Sequence, residues 1–159
     1  MIRLFAAAML LAATLSAPSA SAEAPGPREI LNDVYGKISA DQSNPQPRYT
    51  PPASLYSPRL KQLMAAARRA AQGEAPCGLD FVFWVNGQDA ALSDISIRPR
   101  PRPADADHRT FFVSFTNLRQ HDRLVFSFRR LGGRWLIDDV TSDGEGATWT
   151  LSRLLQCKG

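Results

Sequence analysis

The side chains in this sequence of 159 residues best suited to chemistry are two histidines, two cysteines and a scatter of carboxylates. Nucleophilic catalysis needs a base beside the nucleophile. His108 and His121 both fall in polar stretches that read as turns, where a histidine is solvated rather than poised. No G-x-S-x-G is present, and Cys77 and Cys157 have neither C-x-x-C spacing nor a neighbouring histidine. The densest acidic segment, Asp138-Asp139 with Asp143 and Glu145, does not match the D-x-[DN]-x-[DN]-G spacing of a calcium loop. No catalytic residue, no metal site and no cofactor are assigned on these grounds. Five positions remain as candidates for recognising a ligand or partner. Trp84, Asn86, Gln88 and Asp89 set a large aromatic among amides and a carboxylate, a mixture that suits a sugar or peptide groove. The same residue types also fix turns through side-chain-to-backbone bonds. Asp139 is the fifth, and with Asp80 or Asp89 it would supply the paired carboxylates of acid–base work.

Those candidates sit in a chain whose first 22 residues read as an address. Arg3 is a short positive region, Leu4 to Leu15 an apolar run too short to span a bilayer, and Ala20-Ser21-Ala22 an A-x-A cleavage site. The expected cut after Ala22 leaves residues 23–159 as a single domain with Glu23 first, no transmembrane segment, and a periplasmic or secreted destination. Without Arg3, 18 basic side chains face 15 acidic ones, an excess too mild to imply nucleic acid. In an oxidising compartment an isolated cysteine pair forms a structural disulfide. Closing the 80 residues between Cys77 and Cys157 would stabilise the fold by at most about 4.5 kcal/mol.

Apolar spacing at Ile30, Leu31, Val34, Tyr35 and Ile38 predicts a helix over 28–40, despite Gly36. Four prolines between Gln42 and Ala53 make a loop. Ser57-Pro58 reads as N-cap and first position of a second helix reaching about Gln72, with Leu60, Leu63, Met64, Ala67 and Ala71 as its buried stripe. Phe81 to Val85 is a short apolar strand or helical turn closed by Asn86-Gly87, and Ile95 and Ile97 alternate in a further strand. Arg98 to Pro103 repeats Arg-Pro three times, as an extended basic peptide for an acidic partner or as a solvated edge.

Three strands then form a meander over 109–118, 123–131 and 134–140, and Thr148 to Gln156 reads as a short helix or strand. Gly132-Gly133 is a two-residue hairpin turn, since both central positions of a type I′ turn need positive φ. Its register opposes Arg130 to Trp135, Phe128 to Ile137 and Phe126 to Asp139. A four-residue turn at Arg119 to Asp122 opposes Phe115 to Phe126 and Val113 to Phe128. One face then carries Phe111, Val113, Phe115, Leu124, Phe126, Phe128, Trp135, Ile137 and also Asp139, with Asp138 on the other face beside Ser127 and near Arg129 as a surface ion pair. A carboxylate on the aromatic face must meet a donor from a helix, open onto water, or carry a raised pKa. The first makes Asp139 a clamp, the others a pocket residue.

Helices followed by a curved antiparallel meander define an α+β layer fold. Gly132-Gly133-Arg134-Trp135-Leu136-Ile137-Asp138-Asp139-Val140 resembles the terminal strands of the nuclear-transport-factor-2-like superfamily, whose sheet wraps helices into a cone. Tyr56-Ser57-Pro58-Arg59-Leu60, Cys77-Gly78-Leu79-Asp80-Phe81, Trp84-Val85-Asn86-Gly87-Gln88-Asp89 and Leu92-Ser93-Asp94 resemble the domain-of-unknown-function family 3828 of small exported bacterial proteins, over residues 27 to 157. The resemblance implies an α+β cone in the cell envelope and no assigned activity. Three functions follow as expectations: a non-enzymatic envelope protein binding a partner or small ligand, a small isomerase or hydrolase using pocket carboxylates, or a structural subunit of an envelope complex.

Overall fold

The computed structural model describes residues 23–43, 49–72, 79–101, 105–144 and 148–156. The expected leader with its cut after Ala22, and both Cys77 and Cys157, lie outside the described residues, as do parts of the proline-rich loop and of the Arg-Pro repeat.

Helix α1, Pro27–Asp41, buries Ile30, Leu31, Val34, Tyr35 and Ile38 on one stripe, and Gly36 faces open space where a Cβ would touch nothing. A 3-10 turn, Ala53–Leu55, leads to α2, Pro58–Ala70. Ser57 caps α2 as its spacing predicts, its hydroxyl accepting from the Leu60 amide at 3.1 Å. Of the expected stripe Leu60 and Ala67 are buried, while Leu63, Met64 and Ala71 are half-buried.

The sheet has five strands in sequential order, β1 Leu92–Pro99, β2 His108–Asn117, β3 Gln120–Leu131, β4 Arg134–Ser142 and β5 Trp149–Thr150, all antiparallel. The last buried turn is α3, Leu151–Leu154. The chain is thus an α+β fold built on an open antiparallel sheet. Phe111, Val113, Phe115, Leu124, Phe126, Phe128 and Ile137 are buried on one face, with Trp135 half-buried beside them. Tyr35 of α1 plugs that face: its ring stands edge-on to Phe126 and Trp84, and its hydroxyl donates to the Trp84 carbonyl at 2.8 Å.

Two registers differ from expectation. The β2–β3 turn has two residues, Leu118 and Arg119, both at positive φ (55° and 107°), so Phe111 opposes Phe126 and Val113 opposes Leu124. The slip is four residues, an even number, and so every side chain keeps its face. In β4 the Gly132-Gly133 hairpin holds as far as Phe128 opposite Ile137, and a bulge then intervenes. Phe126 opposes Val140, and Asp139 opposes Ser127, off the aromatic row. The extra residue puts an apolar Val140 into the core where strict alternation would have buried a carboxylate.

Both histidines lie in strands rather than turns. His108 opens β2, taking an Arg129 Nε–H bond at Nε2 (3.1 Å) and pairing through Nδ1 with Asp105 at 2.6 Å. His121, in β3, meets the Thr116 hydroxyl at 3.0 Å.

Candidate functional site

Four of the five candidates lie on one loop, residues 79–91, which crosses the end of the aromatic face. The loop doubles back between Val82 and Gly87, whose facing backbone groups form a single bridge, so the apolar run 81–85 is a tight loop rather than a strand. Asn86 sits in the left-handed region at φ 51°, a conformation asparagine tolerates well. Asn117, at the end of β2, holds the loop from beneath. Its amide donates to the carbonyls of Val85 and Asp89 (both 3.0 Å) and accepts from the Ala91 amide at 2.9 Å. A Cβ on Gly87 would come within 3.1 Å of that amide nitrogen, a tight approach that would push the Asn117 amide by a few tenths of an ångström.

Trp84 points inward from this loop and is buried. It packs on Phe126 (centroids 5.0 Å apart) and Phe83 (5.5 Å), and its indole N–H donates to the Tyr56 hydroxyl at 3.1 Å. Asn86 is a bridge: its amide donates to Asp122 at 2.6 Å and its oxygen accepts from the Trp149 indole at 2.8 Å. Asp122 is only 5% exposed although it is a carboxylate. Gln88 and Asp89 are exposed, Gln88 reaching back to the Asp80 carbonyl at 3.4 Å.

The loop separates two cavities. On the polar side a depression of about 520 Å³ runs between Asn86, Gly87, Gln88, Asp89 and the β2–β3 turn, with Asp122 at its base. On the other side a narrower cavity of about 250 Å³ lies between the end of α1 and the loop, with an apolar floor of Ile38, Pro51, Val82, Trp84, Val85 and Ala90 and a polar rim of Asp41, Gln42, Tyr49, Gln88 and Asp89. Gln42 fixes the rim by clasping the Leu92 backbone, accepting from its amide at 2.7 Å and donating to its carbonyl at 3.2 Å. Asp41 accepts from the Tyr49 amide at 2.7 Å, and the Lys37 ammonium lies 5.8 Å above the Tyr49 ring. The Tyr49 hydroxyl is shut off from solvent and meets no hydrogen-bond partner among the described residues. Desolvation raises the pKa of that phenol, so it stays protonated and able to donate.

Asp139 lies elsewhere. It accepts from the Ser152 amide (3.0 Å) and hydroxyl (2.5 Å) at the start of α3 and from the Val140 amide at 2.9 Å. It meets a helix donor, the clamp arrangement. Asp138, at the bulge, is not a surface pair with Arg129. It accepts from the Ser57 hydroxyl at 2.6 Å and lies 3.3 Å from the Arg59 guanidinium, which also donates to its carbonyl. Partial burial pushes this carboxyl up, but the Ser57 hydroxyl and Arg59 outweigh it and hold it below the ordinary range.

Among the described residues no three His, Cys, Asp or Glu side chains gather where they could hold a metal ion, and no helix is long and apolar enough to cross a membrane. Tyr49, Asn117, Asp122 and Trp149 complete the site without having been singled out in the sequence. For Asp122 a signal existed, since it alternates with Leu124, Phe126 and Phe128 and so belongs to the buried face. For Tyr49 there was none, because nothing in a proline-rich stretch says where its ring will lodge. No family model, no curated protein and no solved structure matches this chain.

Proposed function

We propose that this chain is an exported envelope protein that binds a small, mostly apolar ligand in the cavity between α1 and the 79–91 loop. The observation that carries the reading is the Tyr49 hydroxyl. Buried polar groups in native proteins nearly always have a partner, and an unpaired donor on a residue that lines an apolar-floored cavity fits a ligand whose one acceptor meets it as the ring turns toward that space. A floor of aliphatic and aromatic side chains with a few polar groups at the rim is the usual make-up of such sites. The volume equals that of about eight waters, enough for a ligand of one or two rings. Trp84 forms the floor, Gln88 and Asp89 the rim, and Asn86 holds the loop; Asp139 acts at a distance as a clamp of α3. The proposal extends to compartment and family: a leader cut after Ala22, a periplasmic or secreted destination, a disulfide between Cys77 and Cys157, and membership of the domain-of-unknown-function family 3828 with a nuclear-transport-factor-2-like cone.

The test is native mass spectrometry of the protein recovered from an envelope extract, beside its Tyr49→Phe and Ala90→Phe variants. A bound small molecule lost from Ala90→Phe, which fills the cavity, and weakened in Tyr49→Phe is the expected result. Wild type carrying no small molecule, or carrying it undiminished in Ala90→Phe, overturns the reading. N-terminal sequencing checks for Glu23, and thiol titration with and without reductant checks the disulfide.

A further inference from the structure

The Arg-Pro repeat leaves an unexplained feature at the opposite end of the sheet. There β1 ends, β2 begins, and β3 and β4 are joined by Gly132-Gly133. Antiparallel pairing brings Arg98, Arg100, Arg109, Arg129, Arg130 and Arg134 to this one end. Asp105 and Asp107 are the acidic residues of the connection between β1 and β2, so among the described residues six positive charges meet two negative ones. The first turn of α1 adds Arg28 and Glu29, which cancel.

None of the six guanidinium groups has a carboxylate within 4.0 Å among the described residues. Arg129 feels Asp138, a carboxylate already held by Ser57 and Arg59. The arginines are oriented instead by backbone carbonyls, an imidazole and a hydroxyl. Arg109 donates to the carbonyls of Asp105 and His108, Arg129 to His108, and Arg98 to the Ser96 hydroxyl. Arg109 and Arg130 lie 5.4 and 5.9 Å from the centre of the Trp135 ring. At the tip, Leu131 is 38% exposed between Arg130 and the Gly132-Gly133 turn. The other exposed large apolar side chains among the described residues, Val82 and Leu118, lie at the far end, where Asp89 is also found.

We propose that this end is a docking surface for an anionic phospholipid bilayer, with the β3–β4 hairpin tip as its point of entry. Arginines with no carboxylate within 4.0 Å among the described residues are electrostatically available to headgroup phosphates, with which guanidinium forms paired hydrogen bonds. The choice of a bilayer over a soluble polyanion rests on Leu131 and Trp135. A polyanion gives no reward for an exposed leucine, whereas a membrane interface takes up both the leucine and an indole with an apolar body and a polar edge. The two-residue turn lets the tip enter end-on without disturbing the sheet, and the site is independent of the cavity near Tyr49.

The test is co-sedimentation of the full chain, expressed with its own leader and purified as cells release it, with vesicles of phosphatidylcholine alone or with 30% phosphatidylglycerol. Wild type is expected to sediment only with the anionic vesicles and to be released by 0.5 M salt. Each arginine near such a surface is worth roughly fivefold in partitioning. Arg130→Gln/Arg134→Gln should therefore lose about 25-fold and Leu131→Ser a smaller factor, while Arg68→Gln/Arg69→Gln at the end of α2 should match wild type. Circular dichroism melts confirm that each variant is folded. Equal binding of Arg130→Gln/Arg134→Gln and wild type, or no binding to anionic vesicles, overturns the proposal. Retention on dextran sulfate without vesicle binding overturns it in favour of a soluble polyanion.

Discussion

Replacing Asn86 by alanine removes a keystone, and the size of the loss follows from what the side chain touches. Its amide is the donor to Asp122 at 2.6 Å, and its oxygen accepts from Trp149 at 2.8 Å. Asp122 is 5% exposed, so without that donor a buried carboxylate oxygen loses its bond and gains little water. An unsatisfied buried acceptor costs about 1–3 kcal/mol, toward the upper end for a charged group. Alanine is also a poorer occupant than asparagine of a backbone held at φ 51°, by up to about 1 kcal/mol. Together these predict a loss of about 3 kcal/mol, or a fall in Tm of roughly 10–15 °C for a domain of this size. The assay is chemical and thermal denaturation of wild type, Asn86→Ala, Asp122→Asn and the double variant. Groups in direct contact should couple by about 1–2 kcal/mol. Additivity within about 0.5 kcal/mol, or a loss from Asn86→Ala below about 1 kcal/mol, would refute the reasoning. Either outcome would mean that water already serves Asp122.

Tyr49→Phe removes a buried hydroxyl with no partner, so ligand-free protein should gain up to about 1 kcal/mol in a denaturant melt while ligand binding weakens. In the β2–β3 turn, Leu118→Asn/Arg119→Gly puts residues suited to positive φ where φ is 55° and 107°; Tm should rise by several degrees, and a fall would exclude the two-residue turn. The carboxyl of Asp138 is held below its ordinary range, so its stabilising contribution is present above about pH 4 and lost as pH falls through the lowered value. Asp138→Asn should accordingly melt below wild type at pH 6, by about 1–2 kcal/mol, and the gap should close as pH falls through the lowered value; a constant gap would show that charge is not what Asp138 contributes.

How far the chain could be read in advance depends on which physical property each feature rests on. The α1 stripe from Ile30 to Ile38, the Ser57-Pro58 start of α2, the Gly132-Gly133 turn and the aromatic row of the meander were legible. Each is local, set by helical or strand period, by a cap, or by a φ that only glycine adopts freely. Register was less legible. Alternation specifies which face a side chain takes and is blind to an even slip, so the four-residue error at β2–β3 left the core list intact. A two-residue turn through Leu118 and Arg119 has no local signature, and only the pairing of ten residues on each strand imposes it. The bulge after Ile137 was half written in the sequence, as Val140 breaking step with Trp135 and Ile137. What decides it is distant: Ser57 and Arg59 take Asp138 from one side and Ser152 takes Asp139 from the other. The site divides in the same way. The mixed composition of the 84–89 block marked the loop, but the Tyr49 ring, the Asn117 amide and the Trp149 indole reach it from 26 to 63 residues away or across a proline-rich stretch. Such encounters have no period and no motif. They exist only once the helices have closed over the aromatic face, because burial of that face, and not any local preference, decides which sequence-distant side chains become neighbours.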